Sequence, residues 1–483
     1  MSESLKDKTI SGLKWSSIEK IFQQLFVLAS GIWLGKMLTQ TDFGLVAAIS
    51  IFTYIANALQ DSGFPAALIR KKNVTEADYN TVFYFNLVVA VVLYVVLFFC
   101  APLISRIPEE PSPELIPLSR FIFLTFLFSA LGSVQSVQMI KSLSYKQNTK
   151  IGITAIFVSY SLALILAYQG YGPWALAVQM VSAVAVRTLL FWVVSSWRPK
   201  LLFSWQSFRE LFAFGSNLLL KSILDTVSSR ITPSVISANL GNTATGIYDY
   251  GNRQYTSGAD FISGTLLGVS FPVLSKVEGG DENLKRVFRK IMRATSFLIF
   301  PFFMGMALVA RPFLVGVIDE KWIVSVPILQ VLAIGGIFYS LNMLCSNVLK
   351  VKGKSSYILI AEIVFTSIIA LTLVLAVVLR WDIYSITLGV LAANVAGYVI
   401  NLLAAGRLIN YTIGEHLKDI LPYFGIASVS IAVGFLLRFV IDNLLMLFIS
   451  EVVVVAAIYF MITYLTGSKI IKELLSLLKK NNA

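Results

Sequence analysis

The chain has 483 residues, 57% of them hydrophobic and 13% charged, with a mean hydropathy of +0.78. Soluble domains carry about 25% charged residues, so this balance excludes a soluble globular protein and indicates an all-α polytopic membrane protein. The net charge of +13 does not indicate nucleic acid, because the basic residues sit in short loops between apolar segments.

Residue by residue, the polar start MSESLKDKTISGLKW lacks a small-residue cleavage site, which predicts a retained first span and no removed signal peptide. A span needs roughly 20 predominantly apolar residues. On that measure about fourteen transmembrane helices are predicted, over 15–35, 43–64, 79–103, 115–139, 151–168, 174–194, 211–240, 247–274, 291–317, 324–349, 356–379, 383–405, 420–440 and 444–465. Cys100 and Cys345 lie inside apolar segments and read as small core residues, and the single histidine, His416, rules out a His-based metal cluster.

Loop charge sets the orientation. Loops on the side of the N-terminus carry Arg70-Lys71-Lys72, Lys141 to Lys150, Arg198-Lys200-Arg209, Lys276 to Arg293, Lys350-Lys352-Lys354, Arg407 with Lys418, and Lys469 to Lys480. The opposite loops carry only Lys36, Arg106, Lys321 and Arg380. This positive-inside bias predicts that both termini are cytoplasmic. Trp15, Trp33, Trp174, Trp192, Trp322 and Trp381 fall near span ends, where an amphipathic ring prefers the headgroup level. The basic run from Lys285 to Ile291 and the tail from Lys469 to Lys480 read as amphipathic segments on an anionic lipid surface.

A repeat is present. Leu34-Gly35 and Leu240-Gly241 are 206 residues apart, and Phe64-Pro65 and Phe271-Pro272 are 207 apart. Pro117 and Pro327 differ by 210, and Lys141 and Lys350 by 209. The organisation predicted is an N-lobe (1–200, spans one to six), a C-lobe (201–410, spans seven to twelve) and a remainder (411–483) holding two C-terminal helices and the tail. Two six-helix lobes entering from the same side are parallel repeats, an arrangement of alternating-access transporters with a V-shaped central cavity.

Charges inside spans are costly, about 2.5–3.5 kcal/mol on insertion scales, and usually face a water-filled cavity or a partner. The stretch from Asn217 to Asp260 concentrates them. Asn217, Lys221, Asp225, Ser228 and Thr232 share one face of span seven; Arg230 falls opposite unless Pro233 bends the helix. Asp249, Arg253, Thr256 and Asp260 share a face of span eight, with Asp249 and Arg253 spaced for an ion pair. Lys20 and Gln24 share a face of span one, and Asp61 closes span two. Lys20, Lys221 and Arg253 are the candidates for holding an anionic ligand. Gln24, Asp61, Asp225, Asp249, Asp260 and Glu362 are candidate cavity-lining or ion-coupling groups, and Glu451 is a further one. Arg120 and Arg187, near span ends, read as snorkelling side chains. No nucleotide-binding P-loop is present, so direct ATP coupling is not expected.

The run GLKWSSIEKIFQQLFVLASGIWLGKMLTQTDFGLVAAISIF with Gly63 to Arg70 after it resembles the polysaccharide transporter branch of the multidrug/oligosaccharidyl-lipid/polysaccharide exporter superfamily. So does the second-half run Leu240-Gly241, Gly246-Ile247-Tyr248, Asn252-Arg253; the similarity is closest to exporters of colanic-acid and teichuronic-acid type, and the chain departs from it at Asp249. The resemblance implies a non-enzymatic flippase of the bacterial inner membrane. Its substrate would be an undecaprenyl-pyrophosphate-linked oligosaccharide for surface polysaccharide. Its partners would be membrane lipids and the polymerase and glycosyltransferases of the same pathway. No cofactor is implied, and coupling would be to H+ or Na+ in some members. Two other readings stand beside it. A multidrug cation exporter of the same superfamily would want an acidic cavity, and a membrane polymerase or ligase would want a large outer loop, whereas the longest here, 105–114, is short.

Overall fold

In the computed structural model, three helices begin on the same local device. Thr39 accepts the Asp42 N–H while Asp42 accepts the Thr39 N–H, at 3.2 and 2.7 Å. Thr75 and Asp78 do the same at 3.2 and 2.8 Å, and Thr412 and Glu415 at 3.2 and 2.9 Å. Each pair satisfies two of the backbone donors that a helix start leaves open.

The structure describes residues 22–61, 64–71, 73–142 and 144–466, and within these the side chains outside 58–61, 65–66, 70, 213–230, 261, 263–269 and 355. These residues contain no strand. The helices are α1 (22–37), α2 (Gln40–Asp61), α3 (Phe64–Arg70), α4 (Glu76–Ile104), α5 (Leu115–Ile122), α6 (Leu124–Lys141), α7 (Tyr145–Tyr168), α8 (Pro173–Val194) and α9 (Trp205–Ser275). After these come α10 (Gly280–Arg311), α11 (Val326–Val351), α12 (Ser355–Leu379), α13 (Ile383–Leu408), α14 (Ile413–Leu436) and α15 (Leu444–Leu465), with a short π-helix and a 3₁₀-helix between α10 and α11. Among the described residues, ten segments are long and apolar enough to cross a membrane. This makes the chain a multi-pass membrane protein. The described residues of predicted spans one, two, seven and eight lie in α1, in α2 and the first residue of α3, and in α9.

α9 is broken at Gly241, whose φ of 78° and ψ of 177° leave the helix. Only glycine adopts this backbone without a Cβ penalty. Pro233 keeps helical backbone angles, and the break in the helical backbone is at Gly241. The chain divides into two compact units between Asp249 and Tyr250.

The first unit is built on a core of Phe64, Leu68, Phe83, Val134 and Trp197. Its basic end is tied by polar side chains. Lys141 Nζ donates to the carbonyls of Leu68 and Lys71 at 3.0 and 2.6 Å, where α3 ends. Lys71 Nζ reaches Asp78 and Glu210 at 3.1 and 3.0 Å. Arg120 donates to the Phe98 carbonyl and lies 4.0 Å from the Phe98 ring centroid. The ring and carbonyl of α4 satisfy it where it stands.

The second unit packs around Phe288, Phe303, Leu344, Cys345 and Tyr398. Cys100 and Cys345 are both free thiols. Trp322, at a span end, faces protein. It is fully buried and stacked on Tyr250, with centroids 3.7 Å apart. The 3₁₀-helix that carries it turns the ring into the core. Apolar packing gains little between helices surrounded by lipid, so interhelical hydrogen bonds matter. Asn401 Nδ2 donates to Asn342 Oδ1 and Ser346 Oγ, Asn347 to Ser270, and Gln330 to the Ala307 carbonyl.

The basic run at the start of α10 also ties helices together. Arg289 forks onto Asp419 of α14 at 2.8 and 3.1 Å and reaches Glu415 at 3.2 Å. Lys285 bonds Glu415 at 2.9 Å, and Tyr411 donates to Asp419 at 3.0 Å. His416, nearly fully buried, sits between the hydroxyls of Tyr398 and Tyr411. Arg286 and Lys290 are left exposed. The buried Asp419 carboxylate needs its cationic partner, because removing one member of a buried pair costs about 3–5 kcal/mol while replacing both costs far less. Arg289→Met is therefore expected to lower the melting midpoint in detergent strongly, and Arg289→Met with Asp419→Leu to recover much of the loss. A double variant no more stable than the single one would refute the pairing energy.

Asp382 caps α13 by accepting the Ser385 N–H at 2.9 Å. Its hydrogen bonds to Ser385 hold the carboxyl below its ordinary value of 3.8. A depressed carboxyl contributes stability that is complete above the unfolded value and lost as pH falls through the folded one. The wild-type advantage over Asp382→Ala is expected to be about 1 kcal/mol at neutral pH. It should shrink below pH 3.8, read as melting midpoints across an acid series.

Candidate functional site

The polar face predicted for span eight lies on unbroken helix after Gly241. Asp249, Arg253 and Thr256 are half-buried and Asp260 is exposed. Successive members stand three or four residues apart, so they line one side of the helix. Arg253 lies within Coulomb reach of Tyr250, a buried residue of the core. Asp260 and Glu362 of α12 both act electrostatically on the hydroxyl of Tyr339 in α11. Glu362 is exposed, and Tyr339 is 41% exposed. Asp260 and Glu362 thus both lie within Coulomb reach of the Tyr339 hydroxyl.

Gln24 is half-buried on α1. Lys20 lies outside the described residues, as do the side chains of Asp61, Lys221, Asp225 and Arg230. Glu451 is fully buried and accepts from Arg438 Nε at 2.9 Å, and Arg438 also donates to the Leu308 carbonyl. Among the described residues, no group of three His, Cys, Asp or Glu side chains is arranged to hold a metal ion.

A second feature was not anticipated from the sequence. The start of α2 crosses the part of α9 just beyond Gly241, backbone against backbone. A methyl group on Gly44 would overlap the Asn242 carbonyl, and one on Gly246 would overlap the Gln40 carbonyl. Thr41 and Thr243 share a hydrogen bond of 3.0 Å between their hydroxyls, across a separation of 202 residues. Gly44 and Gly246 stand at the same separation. The separation differs from 206 because nine residues part Gly35 from Gly44, while five part Gly241 from Gly246. A glycine at each of two positions 202 apart, beside a threonine pair at the same separation, was the signal available in the sequence.

The polysaccharide biosynthesis protein family matches residues 33–327, more than half of the chain. The chain belongs to this family. The match spans α2, the Gly44 crossing, α9 and the polar face at Arg253. It agrees with the resemblance to the polysaccharide transporters of the MOP superfamily. Among curated relatives, the teichuronic acid biosynthesis protein TuaB of Bacillus subtilis is 27% identical over 73% of each chain. The lipopolysaccharide biosynthesis protein WzxC of Escherichia coli is 26% identical over 73% of this chain and 71% of its own. Among solved structures, the lipid II flippase MurJ in an inward closed conformation superposes with a TM-score of 0.78. It covers 94% of this chain and 99% of MurJ at 14% identity, a likeness of fold.

Proposed function

We propose that this protein is a flippase moving undecaprenyl-pyrophosphate-linked oligosaccharide repeat units from the cytoplasmic to the periplasmic leaflet of the bacterial inner membrane. It acts by alternating access and serves surface polysaccharide biosynthesis. The observation that carries the reading is the family match over residues 33–327. The proposal includes fourteen spans, both termini cytoplasmic, and lobes at 1–200 and 201–410 followed by 411–483.

The chemistry supports it. A sugar on a dianionic pyrophosphate does not cross hydrocarbon unaided. Lys20, Lys221 and Arg253 supply cations for charge-assisted bonds to the pyrophosphate. Asp260 and Glu362, gathered near Tyr339, are the groups assigned to the coupling ion, with Gln24, Asp61, Asp225 and Asp249 lining the path. Glycosyltransferases and a polymerase of the same pathway would supply and consume the substrate.

The test is reconstitution into vesicles with a fluorescent lipid-linked oligosaccharide, its leaflet distribution read by an impermeant glycosidase. Chain-dependent exchange between leaflets, faster under a proton or sodium gradient, is the expected result. Efflux of drug cations with no movement of the oligosaccharide would replace this reading with the multidrug one.

A further inference from the structure

Between α8 and α9 the chain runs through Arg198, Lys200, Leu201, Leu202, Phe203 and Trp205. This connection is fixed at two points by fully buried side chains of α4. Asn80 Oδ1 accepts the Lys200 N–H, and Thr81 Oγ1 accepts the Ser204 N–H at 3.0 Å. Trp197, upstream, is buried against Tyr79 and Phe83. The three residues between the two anchors are held outward: Leu201 is 92% exposed, Leu202 48% and Phe203 49%. Trp205, edge-on to Phe203 at 5.5 Å, is 67% exposed.

A loop that needed only to connect two helices would place polar residues here. The chain instead pins its backbone and displays an apolar tip. We propose that residues 201–205 form a membrane-inserted finger that seats the basic end of the first unit in the headgroup–acyl boundary of an anionic leaflet. Two observations select lipid as the occupant. The finger joins two membrane helices, and the last turn of α8 already exposes Val193 and Val194. The tip is also flanked by the exposed cations Arg198 and Arg209, and by Lys200, which lies 3.9 Å from Glu76 and is itself exposed. Arg198 donates to the carbonyls of Ser195, Trp197 and Trp192, which orient it without neutralising its charge. Apolar tip, tryptophan and basic rim together match the chemistry of an anionic membrane interface.

The test places single cysteines by Leu201→Cys or Phe203→Cys, with Glu110→Cys as the exposed control on the 105–114 loop. Cys100→Ala removes the half-buried thiol, and Cys345, fully buried, stays. Each full-length chain carries an environment-sensitive dye in vesicles of pure phosphatidylglycerol or pure phosphatidylcholine. Quenching by lipid-borne nitroxide is expected to exceed quenching by iodide at 201 and 203, with the reverse at 110. The lipid quenching should be severalfold stronger in phosphatidylglycerol. Iodide quenching at 201 as strong as at 110 would overturn the proposal and leave the finger for a protein partner. Equal lipid quenching in both vesicles would overturn its anionic selectivity. The positions replaced are so exposed that the variants are expected to fold; elution as in the wild type on size exclusion checks this.

Discussion

Arg253→Ala abolishes export while the protein still reaches the membrane at wild-type levels. This is the expected result of replacing the cation on the polar face of α9. Arg253 is half-buried, on unbroken helix, one turn from Asp249 and Thr256. A hydrogen bond to a charged group is worth about 1.5–3 kcal/mol, equivalent to roughly 10- to 150-fold in affinity. Lys221→Ala is expected to act in the same direction, since the sequence sets it on the polar face of the preceding span. Arg253→Lys separates charge from geometry. It keeps the cation and loses the two-pronged fork, so it should fall between wild type and alanine. The measurement is complementation of a flippase-null strain with membrane protein quantified in parallel. Normal export by both alanine variants would remove the anion-binding role.

Gly44→Ala and Gly246→Ala each lower the melting midpoint and impair export, against the helix propensity of the new residue. Alanine in a helix interior is about 0.8–1 kcal/mol better than glycine, so a packing-neutral site would gain stability. Here the added methyl meets a backbone carbonyl of the crossing helix. That carbonyl belongs to helical backbone and cannot swing aside like a side chain. Overpacking of this kind costs about 1–3 kcal/mol, enough to reverse the sign. Gly305→Ala is the control, because nothing lies within 4 Å of a methyl group there. It should be neutral or stabilising. Thermal retention on size exclusion reads all three, and a Gly44→Ala chain as stable as Gly305→Ala would show that the crossing relaxes at no cost.

Much of this protein is legible in one dimension. Span positions follow from apolar run length, because a bilayer imposes a minimum length on every crossing. The identity of α9 residues sharing a face follows from helical spacing alone, which is why Asp249, Arg253, Thr256 and Asp260 stay on one side of the helix. The Leu240-Gly241 motif marked a boundary, and Gly241 is where the helix breaks.

What the sequence could not decide was which polar side chains meet. Glu451 and Asp419 are both carboxylates in apolar surroundings, as is Glu362. Only the packing assigns Arg438 to the first and Arg289 to the second, while Glu362 stays exposed near Tyr339. Trp322 and Trp205 both flank spans, yet one is core and the other is 67% exposed. The physical reason is common to these cases. Spacing along a helix fixes the direction of a side chain relative to its own axis, whereas its partner depends on the rotation and neighbours of that helix. Composition and periodicity by themselves determined a polytopic membrane protein with a charged face on α9. Tertiary packing decided which of its charges bind helices together and which stay exposed.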